Sequence, residues 1–138
     1  MERFLGRYEP YFYAILRIVT GFMFMLHGAQ KLFGFPPSGK PAQPLGAFMT
    51  FAGVLEFVLG LMVMLGLLAG FAAFIASGMM AVAYFMAHQP QGALPIQNMG
   101  EPAVLYCFIF LYIAARGAGV LSIDNSMNRN NSDNGGRT

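Results

Sequence analysis

The stretch from Leu45 to Ala87 constrains the fold more than any other feature, because its 43 residues include a single charged side chain, Glu56. As one α-helix this stretch would be about 65 Å long, roughly twice the hydrocarbon thickness of a bilayer. It must therefore fold back on itself. Gly66 and Gly70 predict the turn, which gives helices at about 46–66 and 71–87.

The composition of the whole chain supports a membrane location. Charged residues make up 10 % of the 138 residues, and hydrophobic residues make up 57 %. A soluble domain has about a quarter of its residues charged, because its surface must be hydrated. The net charge of +2 is also too small to indicate a nucleic-acid partner. We therefore expect the lipid bilayer to be the main surroundings, and we exclude a soluble enzyme, a nucleic-acid-binding protein and a disordered chain.

Two further apolar segments complete the predicted architecture. One lies at about 11–33, and the other follows Pro102, at about 102–121. The sequence thus predicts an all-α, four-helix bundle that spans the membrane four times and forms one domain over 1–124. The remaining residues, 125–138, include five Asn and no large apolar residue except Met127, which predicts a disordered polar tail.

The distribution of positive charge predicts the orientation of the chain. Four spans place both termini on one side of the membrane. That side would carry Arg3, Arg7, Arg116, Arg129 and Arg137, against Lys31 and Lys40 on the other. Five cationic residues against two favour cytoplasmic termini. The connections 34–44 and 88–101 would then face outward together, toward the periplasm of a bacterial host.

Ionisable residues inside the predicted spans are the main candidates for a site. Arg17, His27 and Lys31 share one face of the first helix, and Glu56 lies on the second. We expect the two faces to meet inside the bundle, because ionisable side chains avoid lipid. Small residues allow close helix contact. They flank both faces at Gly21, Gly28, Gly53 and Gly60.

A carboxylate at the depth of Glu56 needs a counter-charge, and the long side chain of Arg17 predicts an Arg17–Glu56 ion pair. This pair has two possible roles. It fixes helix register and does nothing else, or it lines, together with His27, a cavity for a small polar or quinone-like ligand. Two interpretations of His27 are equally supported: it donates a hydrogen bond to a ligand, or it donates one to a neighbouring helix. Lys31 either joins the site or extends to the lipid headgroups.

The ends of the fourth helix carry further polar residues. Glu101 is a ligand candidate, although a carboxylate also suits the positive end of a helix dipole. Asn98, Arg116, Ser122 and Asp124 are expected to have structural roles. No metal site is predicted, because the two histidines and Glu56 lie at different depths.

Cys107 is the only cysteine, which excludes an intramolecular disulfide and a Cys-x-x-Cys pair. Its apolar neighbours predict a buried, unreactive thiol.

Several motifs follow one another along the chain: Arg17 with Gly21, His27-Gly28-x-x-Lys31, Gly53-x-x-Glu56, Asn98-x-Gly100-Glu101 and Arg116-Gly117-Ala118-Gly119-x-x-Ser122-x-Asp124. Taken together, these motifs resemble the DoxX family of small four-helix bacterial membrane proteins. The resemblance covers roughly residues 14–125 and implies an inner-membrane protein related to the small subunit of thiosulfate:quinone oxidoreductase. It also implies a link to membrane redox complexes and thiol-oxidative stress.

The sequence supplies no redox centre of its own, since it has no cysteine pair, no Rossmann glycine motif and no convincing pair of axial haem ligands. A quinone is the favoured ligand because it reaches the protein through lipid. Arg17 and His27 are the expected hydrogen-bond donors, with Glu56 as proton acceptor or counter-charge.

The predicted function is therefore a redox-associated membrane component that works with a partner protein, and whether it is itself an enzyme stays open. The alternatives are a non-catalytic scaffold for a redox or stress-response complex, and a small transporter that would have to form a homo-oligomer.

Overall fold

The computed structural model describes residues 2–37, 39 and 45–135, with only the backbone given at 2, 3 and 131–135. Lys40 and Arg137, which contribute to the predicted charge distribution, lie outside the described residues. The described chain is helical, with short connections.

Six α-helices follow one another along the described part of the chain: α1 (Glu2–Leu5), α2 (Glu9–Phe33), α3 (Ala47–Leu65), α4 (Ala69–Ala83), α5 (Glu101–Arg116) and α6 (Ile123–Gly135). Helices α1 and α2 are joined by a 3-10 turn at Gly6–Tyr8, and α4 continues into a π-helix at Tyr84–His88 and a 3-10 turn at Gln89–Gln91.

Three helical segments of the described chain are long and apolar enough to cross a membrane: Gly6–Phe33, Ala47–Leu65 and Ala69–Gln91. They correspond to the first three predicted spans. The turn between α3 and α4 contains Gly66, which has a φ of +69°, as expected. Gly70 instead lies in the first turn of α4.

The fourth predicted span is shorter than expected. Helix α5 has 16 residues, about 24 Å at 1.5 Å per residue, so the prediction that it continues to about residue 121 is wrong. The backbone leaves the helical conformation because φ is positive at Gly117 (83°), Gly119 (66°) and Leu121 (55°).

Helices α2 and α3 pack through their glycines, as the sequence predicts. An added Cβ at Gly21 would lie 2.5 Å from the backbone nitrogen of Met64, and one at Gly60 would lie 2.5 Å from that of Met25. Gly28 similarly faces the backbone of Phe57. The other close helix pairs are α4 with α5 and α3 with α4. The glycines therefore bring together the faces of α2 and α3 that carry Lys31 and Glu56, whereas His27, predicted on the same inward face of α2, is exposed.

The core is aromatic and aliphatic near α2 and α5 and is formed by alanine along α4. Phe24, Phe110, Ile113 and Val63 are buried. Most of the buried residues of α4 are small, which lets this helix approach both neighbours closely; the alanines among them are Ala69, Ala72, Ala73 and Ala76, and Ser77 and Met80 are buried further along the helix.

Large apolar side chains cover the outside of the bundle. Phe71, Phe74, Phe85 and Phe108 are between 62 % and 66 % exposed. An outer surface of this kind would promote aggregation in water, whereas it matches the hydrocarbon of a bilayer.

The described part of the predicted polar tail, residues 125–135, is helical where the sequence predicts disorder. Helix α6 covers Ile123–Gly135. Its start is fixed by Ser122, whose hydroxyl accepts the Asn125 N–H at 3.2 Å. Asp124 then binds the start of α4 by accepting the N–H groups of Leu68 at 2.9 Å and Ala69 at 3.1 Å. These tertiary contacts define the beginning of a helix that the composition alone does not favour.

Candidate ligand cavity

A cavity of about 630 Å³ lies at one end of the bundle, between the C-terminal halves of α2 and α4 and the N-terminal halves of α3 and α5. Most of its lining is apolar. The polar residues that contribute to it are His27, Lys31, Glu56, His88 and Tyr106. Three of the five predicted ligand candidates therefore come together, and Arg17 and Glu101 do not line this cavity.

The central polar contact is an ion pair between the Lys31 ammonium and Oε1 of Glu56. The side chain of Glu56 is 6 % exposed and that of Lys31 is 27 % exposed. Gly53 permits this pair, because the Lys31 β-carbon would lie only 3.2 Å from a Cβ at that position, one turn before Glu56. The prediction that Arg17 is the partner of Glu56 is therefore wrong.

Two buried polar atoms beside the cavity lack a hydrogen-bond partner in the described part of the chain. They are Oε2 of Glu56 and the hydroxyl of Tyr106. Both residues line the same cavity. Sequence reasoning missed Tyr106, although a hydroxyl within an apolar segment was a usable signal.

His27 is exposed and lines the cavity, which places it at the opening. Its ring lies edge-to-face on Tyr106, with 6.1 Å between centroids. Tyr106 in turn stacks on Phe110 at 5.7 Å. His27 thus forms one side of an aromatic group that continues into the core.

The loop before α5 is organised by Asn98, which is 2 % exposed. Its amide donates to the Gly92 carbonyl at 2.9 Å and accepts the Gly100 N–H at 2.9 Å. The Asn98 carbonyl lies 3.0 Å from Nδ1 of His88. Asn98 therefore connects the two ends of this loop and positions His88 at the cavity.

Arg17 lies at the opposite end of the bundle, where it forms what we call the Arg17 clasp. The residue is fully buried. Its Nη1 donates to the carbonyls of Val63 at 2.6 Å and Met64 at 2.8 Å, and its Nη2 donates to those of Leu121 at 2.7 Å and Val120 at 3.5 Å. The first two carbonyls belong to the C-terminal end of α3, which carries partial negative charge. The guanidinium of Arg17 is therefore bound by backbone carbonyls and not, as the sequence predicts, by the carboxylate of Glu56.

The remaining predicted polar residues lie away from the cavity. Glu101 is exposed at the N-terminus of α5. Arg116 forms an ion pair with Glu9, with 2.7 Å between Nη2 and Oε2, and its guanidinium lies 4.2 Å from the centroid of the Tyr13 ring. This contact places the start of α2 and the end of α5 at the same end of the bundle.

The single thiol is partly buried between α4 and α5. Sγ of Cys107 lies 3.6 Å from the Ser77 hydroxyl, which donates to the Cys107 carbonyl at 2.8 Å. Within the described residues, no group of three His, Cys, Asp or Glu side chains is placed to hold a metal ion.

The apolar helices, the exposed aromatic surface and the internal ion pair define an all-helical membrane protein with a cavity at one end. A sequence model of the DoxX family matches residues 12–89, more than half of the chain. A protein of Haemophilus influenzae, described only as an uncharacterized protein, is 45 % identical over 129 residues, which cover 88 % of this chain and 94 % of that relative. No solved structure matches. The chain belongs to the DoxX family.

Proposed function

We propose that this protein is a bacterial inner-membrane component of a redox system and that it binds a quinone or a similar ring-shaped small molecule in the cavity. The observation that carries the proposal is the combination of an apolar cavity of about 630 Å³ with five polar side chains, those of His27, Lys31, Glu56, His88 and Tyr106. Sites for small molecules typically have volumes of about 300–1,000 Å³, mostly apolar walls and a few convergent polar groups.

The walls of the cavity suit a flat, lipid-soluble ring. Phe24, Phe48, Phe51 and Tyr106 supply aromatic surfaces. The methionines among the lining residues are flexible and polarisable, so they can adjust to the edge of a ring. These methionines are Met49, Met79, Met80 and Met86.

The polar groups supply hydrogen bonds to the oxygens of such a molecule. The Tyr106 hydroxyl and the Lys31 ammonium can donate, and Oε2 of Glu56 can accept. His27, at the opening, can donate or accept according to its protonation. Glu56 is then the proton acceptor of the site, with Lys31 rather than Arg17 as its counter-charge.

With cytoplasmic termini, as the charge distribution predicts, the cavity lies near the outer face of the membrane. The ends of α2 and α5 that hold Glu9 and Arg116 then lie on the cytoplasmic side. Since the sequence contains one cysteine, electron transfer would use the bound molecule and a partner protein rather than a thiol pair.

The proposal is tested by photolabelling purified protein in lipid nanodiscs with a short-chain azido-benzoquinone, used in its oxidised and reduced forms. We expect saturable labelling of peptides from α3 and α5 that line the cavity. Ala52→Phe fills the cavity from α3 and should remove this labelling. Val54→Phe adds the same ring two residues away on an exposed, non-lining part of α3, so labelling should persist.

The amount of folded protein is measured in each variant by size-exclusion chromatography, because only folded samples are compared. Labelling spread over the lipid-facing surface and equal in the two variants would contradict the proposal. If the scaffold interpretation is correct, neither redox form binds in the cavity, and Ala52→Phe still co-purifies with the same membrane proteins from cells.

A further inference from the structure

Two buried polar atoms at the cavity have no hydrogen-bond partner in the described part of the chain, and they determine which hydrogen-bonding groups a ligand needs. The Lys31 ammonium donates to Oε1 of Glu56, whereas Oε2 of Glu56 and the Tyr106 hydroxyl have no hydrogen-bond partner among the described residues. A buried polar atom without a partner costs free energy. A ligand that satisfies both atoms therefore gains affinity over a ligand of the same shape that satisfies only one.

The ion pair determines the direction of the hydrogen bond at Glu56. As the partner of an ammonium group, Glu56 is a carboxylate, and a carboxylate only accepts hydrogen bonds. Oε2 therefore requires an N–H or O–H donor. The Tyr106 hydroxyl can both donate and accept, so it places no such restriction on the ligand.

A hydroxyl group meets both requirements at once, since it can donate to Oε2 of Glu56 while it accepts from Tyr106. A quinone carbonyl can accept from Tyr106, but it leaves Oε2 unpaired and brings a second negative dipole toward the carboxylate. The two redox forms of one ring differ in this property, because the carbonyl oxygens of a quinone become hydroxyl groups in the hydroquinone.

From this geometry we infer that the cavity selects the reduced, hydroxyl-bearing form of its ring ligand, a hydroquinone or a related phenol, over the oxidised quinone. Glu56 is the residue that determines this specificity, and Tyr106 positions the hydroxyl. The inference rests on the proposed function and adds to it a preference between the two forms.

The test compares three ligands with the same ring and tail: a short-chain benzoquinone, its hydroquinone and the dimethyl ether of that hydroquinone. Equilibrium binding to protein in nanodiscs is measured without oxygen. A hydrogen bond to a charged acceptor changes affinity by about tenfold or more. We expect the hydroquinone to bind at least about tenfold more tightly than the quinone, and the ether to bind no better than the quinone.

Two variants separate the roles of the polar residues. Lys31→Met combined with Glu56→Met removes both charges at similar volume, and it should reduce the preference for hydroquinone to within about twofold. Tyr106→Phe removes only a hydroxyl, and it should weaken both redox forms while the preference remains, because Oε2 of Glu56 is still present.

The outcomes distinguish this inference from the proposed function. If both forms bind with equal affinity, or if the quinone binds more tightly, the inference is overturned and the proposed function stands. A preference that survives the Lys31→Met and Glu56→Met combination also overturns the inference. If no form binds, both proposals fail.

Discussion

Lys31 and Glu56 form an ion pair across the glycine contact between α2 and α3, with the carboxylate far more buried than the ammonium group. Removal of one partner from a buried pair leaves an uncompensated charge, whereas replacement of both by apolar residues is often neutral.

We expect Lys31→Met to lower the free energy of unfolding by on the order of 3 kcal/mol, because it leaves the carboxylate of Glu56 buried without a counter-charge. The combination of Lys31→Met with Glu56→Met should recover most of this loss. Unfolding in mixed micelles, followed by circular dichroism, measures both. A double variant as unstable as the single one would contradict the explanation.

The Arg17 clasp predicts that the number of donors, and not charge alone, matters at this position. Arg17→Met leaves four carbonyls without their donor and should lower the free energy of unfolding by more than about 3 kcal/mol. Arg17→Lys keeps the charge but loses the planar set of donors, and we expect an intermediate loss. The exposed Arg7 provides the control, since Arg7→Met should have almost no effect in the same assay.

The glycine contact between α2 and α3 predicts that a methyl group at Gly21 or Gly60 is not tolerated. A Cβ at either position would lie 2.5 Å from a backbone nitrogen of the facing helix, which forces the helices apart. Gly21→Ala should lower the thermal transition of the purified protein. Gly78→Ala is the matched control, because nothing lies within 4 Å of a Cβ there, and it should be neutral or stabilising by up to about 1 kcal/mol.

Asp124 provides a prediction about the connection between α6 and α4. Asp124→Ala removes an acceptor for two N–H groups at the start of α4, at an expected cost of about 1 kcal/mol. Hydrogen exchange should rise at Leu68 and Ala69 and stay unchanged at the cavity end. An unchanged exchange rate at those two amides would show that the cap does not stabilise α4.

Membrane orientation can be measured with the single native cysteine removed. In a Cys107→Ser background, Gln91→Cys places a thiol on the loop predicted to face outward, and Met127→Cys places one on α6. We expect a membrane-impermeant maleimide to label only the first in intact cells, because positive charge favours cytoplasmic termini. The opposite labelling pattern would invert the predicted orientation.

Much of the helical structure could be predicted from the sequence, because apolar length and glycine position depend on local composition. The bounds of α3 and α4 differ from the predicted ones by a few residues, and the glycine contact follows from the spacing of Gly21, Gly28, Gly53 and Gly60. The end of α5 could not be predicted with the same success. The segment after Arg116 contains apolar residues that would fit a longer helix, but its backbone leaves the helical conformation.

The pairing of the buried charges depended on tertiary structure. The reach and charge of the Arg17 side chain predict that it pairs with Glu56. In the structure its guanidinium instead donates to backbone carbonyls at the end of α3 and at Val120 and Leu121. Which carbonyls are free depends on where helices end, and this is the least certain part of a sequence-based prediction. Lys31 is among the ligand candidates that the sequence predicts, but its contact with Glu56 is not predicted.

The Arg17 clasp also has a consequence for biosynthesis. Its carbonyl partners come from residues 63 and 64 and from residues 120 and 121, so two of them are synthesised about a hundred residues after Arg17 itself. Until residues 120 and 121 emerge from the ribosome, the guanidinium has only half of its final acceptors. A nascent chain that stops before residue 120 therefore leaves the buried cation with only the two carbonyls at the end of α3.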